Sequence, residues 1–221
     1  MNVLPKDLVE RCKKRMEPYN CEGFVYGRGP RNPEIMIVGE APGETEIHNG
    51  IPFSGRAGKV LNEFFDYVGV SRDDIYFTST VRSRPYKIVP KKAGPNGEII
   101  EKKYNRAPNM KEQIAHAPIV DYEIQHINPK QIVTLGNIGL QRLLGKNYKI
   151  SEVHGRLIQS PVRQLKDMET NEWTLSDQEY SIFPTFHPAS IFYNRSLLEK
   201  VYEDLDELKK ILKRKNTGLK P

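Results

Sequence analysis

Three carboxylates crowd one short stretch of this sequence. In EIMIVGEAPGETEIHNGIPFSGRAGKVLNEFF, an apolar run from Glu34 leads into Glu40, Glu44 and Glu46, and then to Phe53 among glycines. Far downstream, His187 opens the run HPAS. A phosphate loop needs G-x-x-x-x-G-K-[ST] and a dinucleotide turn needs G-x-G-x-x-G. Neither follows the apolar run, and the acids would repel phosphate. Carboxylates can hold hard cations, but no second acidic cluster or histidine pair stands at the ends of the other apolar runs, so no metal is expected. Acid, aromatic ring and imidazole together suit a flat polar ring held on an aromatic face, with charge handled at either end. Solvated loop charge and a core phenylalanine are the plain alternatives.

Those residues need a frame. EIMIV (34–38), DIYFTSTV (74–81), QIVTLG (131–136) and YSIFPTF (180–186) read as strands, apolar enough to be covered on both faces. Between them lie helical patterns: residues 4–16, with Pro5 in the first turn; a helix with Val60, Leu61, Phe64, Phe65 and Val68 on one side and Ser54 as its cap; a helix through Ile114–Ile127 with Pro118 as a possible kink; NIGLQRLLG; and a last helix over about 196–214. Strand and helix in alternation mean α/β with a mostly parallel sheet. Ligands then sit outside the carboxyl ends of the strands. GEAPGETE, TSTVRSRP and FHPASIFYN are thereby brought to one edge. Two segments look inserted into a single domain of residues 1–221. Residues 86–108 hold a Pro-Asn-Gly turn between short apolar runs, a hairpin signal, together with Lys87, Lys91, Lys92, Lys102, Lys103 and Arg106. This basic hairpin is either a solvated arm or a nucleic-acid contact. Residues 159–180 hold the only tryptophan, Trp173.

The chain has 221 residues, a formal charge of +6 and a pI of about 9.1, which favour a polyanionic partner. Two cysteines, Cys12 and Cys21, cannot build a disulfide framework, and the charged N-terminus lacks an apolar leader. An intracellular, cytoplasmic monomer with no membrane span is the expectation.

GEAPGETE…GIPFSGRAGKVL, TVRSRP, NRAP, QIVTLG and PTFHPASIFYN, in this order over nearly the whole chain, resemble the uracil-DNA glycosylase superfamily, most closely its family 4. The resemblance implies a three-layer α/β/α sandwich around a four-stranded parallel sheet. It also implies hydrolysis of the N-glycosidic bond of a base flipped out of DNA, as in base excision repair. On that reading His187 donates to the base O2 as negative charge builds, and Glu40 stands near the attacking water and the cationic sugar. Glu46 walls the base C5, backbone amides after Glu40, beginning at Ala41, help hold the base, and Phe53 stacks on it. Arg82, Arg84 and Arg195 become candidate phosphate contacts. Ser190 and Ile191 belong to the loop that meets DNA, with Phe192 and Tyr193 as further wedge candidates.

Two departures stand out. Family-4 members hold a four-iron cluster with four cysteines; here Cys12 matches the first position, but Arg15, Ser83 and His116 stand at the others. No iron–sulfur cluster and no other cofactor is therefore expected, and the first helix must dock by packing. Where the family places a base-reading asparagine, this chain has Ser79. One hydroxyl satisfies less of a uracil edge than an amide does, so uracil or a related modified or deaminated base are all admissible substrates. A catalytically silent protein of the same fold, binding DNA or a replication partner, is the alternative.

Overall fold

The computed structural model describes residues 3–93 and 98–216. Its centre is a sheet of five strands in the order β3-β2-β6-β8-β7. Strands β2 (Ile35–Gly39), β3 (Ile75–Ser79), β6 (Gln131–Leu135) and β8 (Trp173–Thr185) run parallel. Every residue of β2, β3 and β6 is buried, as strands covered on both faces must be. The fifth strand, β7 (Ile158–Leu165), pairs antiparallel with β8 and corrects the expected four-stranded count. It was illegible because Pro161 interrupts the run, and a proline demotes a strand to an edge or a bulge. The register does shift there, between Pro161 and Arg163. Most of residues 159–180 thus belongs to the sheet, with 166–172 as the connecting loop, and β8 begins seven residues before the expected start at Tyr180.

Helices cover both faces. Helix α3 (Arg56–Val68) and α7 (Leu197–Asn216) bury Leu61, Phe64, Phe65, Val201, Leu205 and Leu208 against Ile35, Ile37 and Phe77. On the other face α4 (Met110–Ile127) sets Val120, Ile124 and Ile127 against Met36, Val38 and Ile132. Asn109 and Glu112 close a reciprocal cap at the start of α4, which supports the helix despite Pro118. Helix α1 (Lys6–Met16) packs outside α4 through Leu4, Val9, Cys12 and Ile119. Helix α2 (Glu44–Asn49) lies within the acidic loop, α5 (Gly136–Leu144) follows β6, and α6 (Ile150–Val153) is one turn. Ser54 does not cap α3: Gly55 takes that position, and the Ser54 hydroxyl donates to the Ile51 carbonyl instead.

A second, three-stranded sheet joins β1 (Cys21–Glu22) to the ribbon of β4 (Arg84–Ala93) and β5 (Glu98–Asn105). The Pro95-Asn96-Gly97 turn lies outside the described residues. At the other end of the molecule Trp173 lies against two guanidinium groups, with Arg142 4.7 Å and Arg163 4.3 Å from its ring centre. Among the described residues no helix is long and apolar enough to cross a membrane.

Candidate active site

The carboxyl ends of β2, β3 and β8 open into a cavity of about 540 Å³ lined by Glu40, Ala41, Glu46, Phe53, Ser79 and His187. Its size is ordinary for a small-molecule site. Gly39 and Ser79 are register partners at the ends of β2 and β3, so Glu40 and Ser79 reach the rim together. Burial pushes the Glu40 carboxyl above the ordinary carboxylate range, and its side chain makes no hydrogen bond among the described residues.

Phe53 is the most constrained of these residues. Its φ of 52° is left-handed, which is uncommon without glycine. Two true glycines make room for it. A Cβ on Gly39 would lie 2.4 Å from the Phe53 ring, and one on Gly58 would lie 1.8 Å from its carbonyl oxygen. Arg72 donates to the preceding Pro52 carbonyl at 2.6 Å and stacks 4.2 Å from the Phe77 ring centre, and Phe77 in turn lies 5.8 Å from Phe53. The ring is thus anchored to the core and also lines the cavity.

His187 follows β8 directly. Its Nδ1 accepts the Ala189 N–H at 3.1 Å, so the neutral ring carries its proton on Nε2. Burial pulls its pKa down to about 4, and the ring is neutral at pH 7. Ser190 does not reach outward: its hydroxyl donates to the His187 carbonyl at 2.6 Å and closes the turn that carries the imidazole.

Glu46 has a tighter role than a loose wall. Its Oε2 accepts from the Gly43 N–H at 3.1 Å and its Oε1 from the Gly55 N–H at 2.8 Å. One carboxylate thus clips the start of α2 to the start of α3 across the mouth of the cavity. Arg82 and Arg84, expected as phosphate contacts, are buried at 1% and 3% exposure. Arg82 pairs with the buried Glu123, which also accepts from Tyr76 at 3.0 Å and Thr78 at 2.6 Å. Arg84 pairs with Glu22 at 2.8 Å and donates through Nε to Asn105 Oδ1 at 2.6 Å. Buried cations with carboxylate partners have no reach to a solvent-side strand. Ile191 packs against the apolar core, whereas Tyr193 is 91% exposed on the cavity rim, and Arg195 is exposed.

Asn105 and Arg56 also line the cavity and were not singled out from sequence. Arg56 stacks over Phe192 at 3.8 Å. With its Oδ1 fixed by Arg84, Asn105 can offer its amide N–H groups to the cavity. The NRAP run was the available signal, but its first residue gains meaning only once β5 delivers it to the rim.

The donor set where family 4 holds its cluster does not fit one. Cys12 is fully buried among Leu4, Val9 and Ile119, and burial raises its thiol to about 11, so it stays protonated. Arg15 fills the second position, donating to the carbonyls of Met168 and Ile114 and to Asn171 Oδ1. Ser83 is buried, and His116 spends Nδ1 on the Arg82 N–H at 2.8 Å. A cluster wants four thiolates; these positions offer one neutral thiol and a guanidinium that cannot ligate. Among the described residues no group of three or more His, Cys, Asp or Glu side chains could hold a metal.

Comparison with known proteins gives the family. The chain is 33% identical to a Type-4 uracil-DNA glycosylase of Sulfurisphaera tokodaii, over 93% of this chain and 82% of that one. Proteins of the same name from Saccharolobus solfataricus and Thermotoga maritima are each 32% identical, over 95% and 93% of this chain and 85% and 92% of theirs. Residues 26–213 match the model of the Uracil DNA glycosylase superfamily, a span that takes in every cavity residue named above, and the chain belongs to that superfamily.

Proposed function

We propose that this protein is a monofunctional uracil-DNA glycosylase that takes a flipped base into the strand-end cavity and hydrolyses its N-glycosidic bond. The observation that carries this reading is the convergence of a desolvated carboxylate, an anchored aromatic ring and a neutral imidazole on one cavity of about 540 Å³. Bond cleavage leaves an oxocarbenium-like sugar and an anionic base. A neutral Nε2–H donates to the base oxygen as its charge develops, with no prior proton transfer, and preorganised donors of this kind carry much of the catalysis. Glu40, poorly solvated, supplies negative charge on the sugar side and a partner for the attacking water. Phe53 stacks on the base, worth about 1–3 kcal/mol. Ser79 presents its hydroxyl to the base edge. No lysine is among the described residues lining the cavity, which supports attack by water over a Schiff base. Tyr193 is the side chain best placed to fill the vacated stack, because Ile191 is committed to the core.

The test is incubation with single- and double-stranded oligonucleotides bearing uracil, hypoxanthine or 5-hydroxymethyluracil, followed by alkaline cleavage at abasic sites. Strand scission at uracil is the expected result. Binding without product on any substrate would replace this reading with the silent DNA-binding one.

A further inference from the structure

Beyond the cavity, the β4–β5 ribbon carries a pattern that the excision chemistry does not use. Lys87 pairs across it with Tyr104, Val89 with Lys102, and Lys91 with Ile100. Directly opposed residues and their i+2 neighbours share a face, so these six side chains form one surface. Each of its three rungs sets one ammonium beside one apolar side chain. Lys102 Nζ lies 5.6 Å from the Tyr104 ring centre. All six are exposed, including Val89 at 36%, Ile100 at 45% and Tyr104 at 37%. None of these lysines has an ion-pair partner among the described residues. The next rung out on the same face sets Glu98 opposite Ala93, so the basic stretch ends at Lys91 and Ile100; on the reverse face Glu101 lies among the corresponding rungs and Lys103 is bound to Glu22.

We propose that this face is a track for the DNA strand that flanks the target base, an inference that rests on the DNA substrate assigned above. Rungs two residues apart are separated by about 7 Å, close to the step between successive phosphates of an extended strand. Alternating cations and apolar side chains meet phosphates and bases in turn, as sequence-tolerant single-strand sites do. The ribbon also starts in the right place. Asn105 at its root lines the cavity from the opposite face, and the strong twist of a two-stranded ribbon rotates the outer rungs away from the orientation of the root. The buried Arg84, tied to Glu22 and Asn105, stiffens that root.

The test uses the full chain and an all-thymidine oligonucleotide, so that binding is read without excision. Lys87→Ala, Lys91→Ala and Lys102→Ala are each expected to flatten the slope of log affinity against log salt by about 0.7. The triple variant should flatten it by about 2 and lose about tenfold or more in low-salt affinity. Tyr104→Ser should weaken binding without changing the slope. Lys92→Ala, on the reverse face, is the control and should change neither. For uracil-containing substrates, the advantage of long over trinucleotide DNA should shrink in the triple variant. An unchanged slope in the triple variant would overturn the track and leave the ribbon to a protein contact. An equal effect from Lys92→Ala would overturn it in favour of diffuse charge. If the unmodified protein releases no base but the triple variant still loses slope, the glycosylase reading falls and the track stands.

Discussion

The strand-end cavity and the seam beneath α1 obey different rules. In the cavity, Glu40, Phe53 and His187 line one space, and the scaffold goes to some length to hold them there. A left-handed phenylalanine, two glycines that admit it and a carboxylate clipping two backbone amides all serve that end. Under α1, three of the four positions implied as cluster ligands hold other residues, yet the helix still docks. Arg15 ties it to α4 and to the loop between β7 and β8, while Leu4, Val9 and Cys12 bury against Ile119. Bond cleavage requires particular atoms at particular points. Docking requires only filled volume and satisfied polar groups, and many side-chain sets supply those.

That contrast can be broken or sharpened by measurement. His187→Ala should lower kcat/KM for uracil release by about 10²–10³, or about 3–4 kcal/mol of barrier, while thermal unfolding moves little. Comparable activity in this variant would remove the imidazole from the chemistry. Arg15→Ala should do the converse. It should cost about 2–3 kcal/mol in urea unfolding, since charge-assisted hydrogen bonds are lost, with activity per folded molecule unchanged. Glu46→Ala bridges the two regions. Two backbone donors lose their acceptor, so about 1–2 kcal/mol of stability should go, and KM should rise along with it.

A further effect is read in pH. Burial and the nearby Arg82 hold His116 at a pKa of about 3 in the folded protein, below its unfolded value of 6.5. Between those values the unfolded chain binds more protons. The His116 contribution is therefore intact above pH 6.5 and lost as the pH falls, at up to about 1.4 kcal/mol per pH unit. Glu40, Asp121 and Asp204 are shifted upward by burial and act in the opposite direction. The relevant measurement is therefore the difference in pH slope between the unmodified protein and His116→Asn, which should be the shallower of the two. Least in size, the pH profile of kcat/KM should show no inflection near 6.5, because His187 stays neutral down to about 4. Its acid limb should follow Glu40, falling as pH drops through a pKa above the ordinary carboxylate value.

The central strands were legible because burial on both faces writes itself as an unbroken apolar run, and Glu40, Ser79 and His187 because they end or closely follow those runs. What escaped notice depends on partners distant in the chain. Arg82 and Arg84 looked like surface cations, but Glu123 and Glu22, which neutralise them, are 41 and 62 residues away. Glu46 was expected as a wall beside the base, and its clip onto the Gly43 and Gly55 amides shows only once α2 folds it back. Asn105 read as part of an inserted arm, and only the pairing of β5 with β4 brings it to the rim. Strand β7 carried a proline and several polar residues, which mark an edge rather than a core.

The contact of Trp173 with two arginines gives the protein a built-in optical probe. The chain has a single indole, and it sits on the β7–β8 ribbon whose connecting loop, at Met168 and Asn171, receives the guanidinium of Arg15. Its emission will therefore follow the loosening of the N-terminal helix with no contribution from other tryptophans. The same signal will stay silent when nucleic acid occupies the far edge of the sheet, so that folding and substrate engagement can be followed separately in one cuvette without any label.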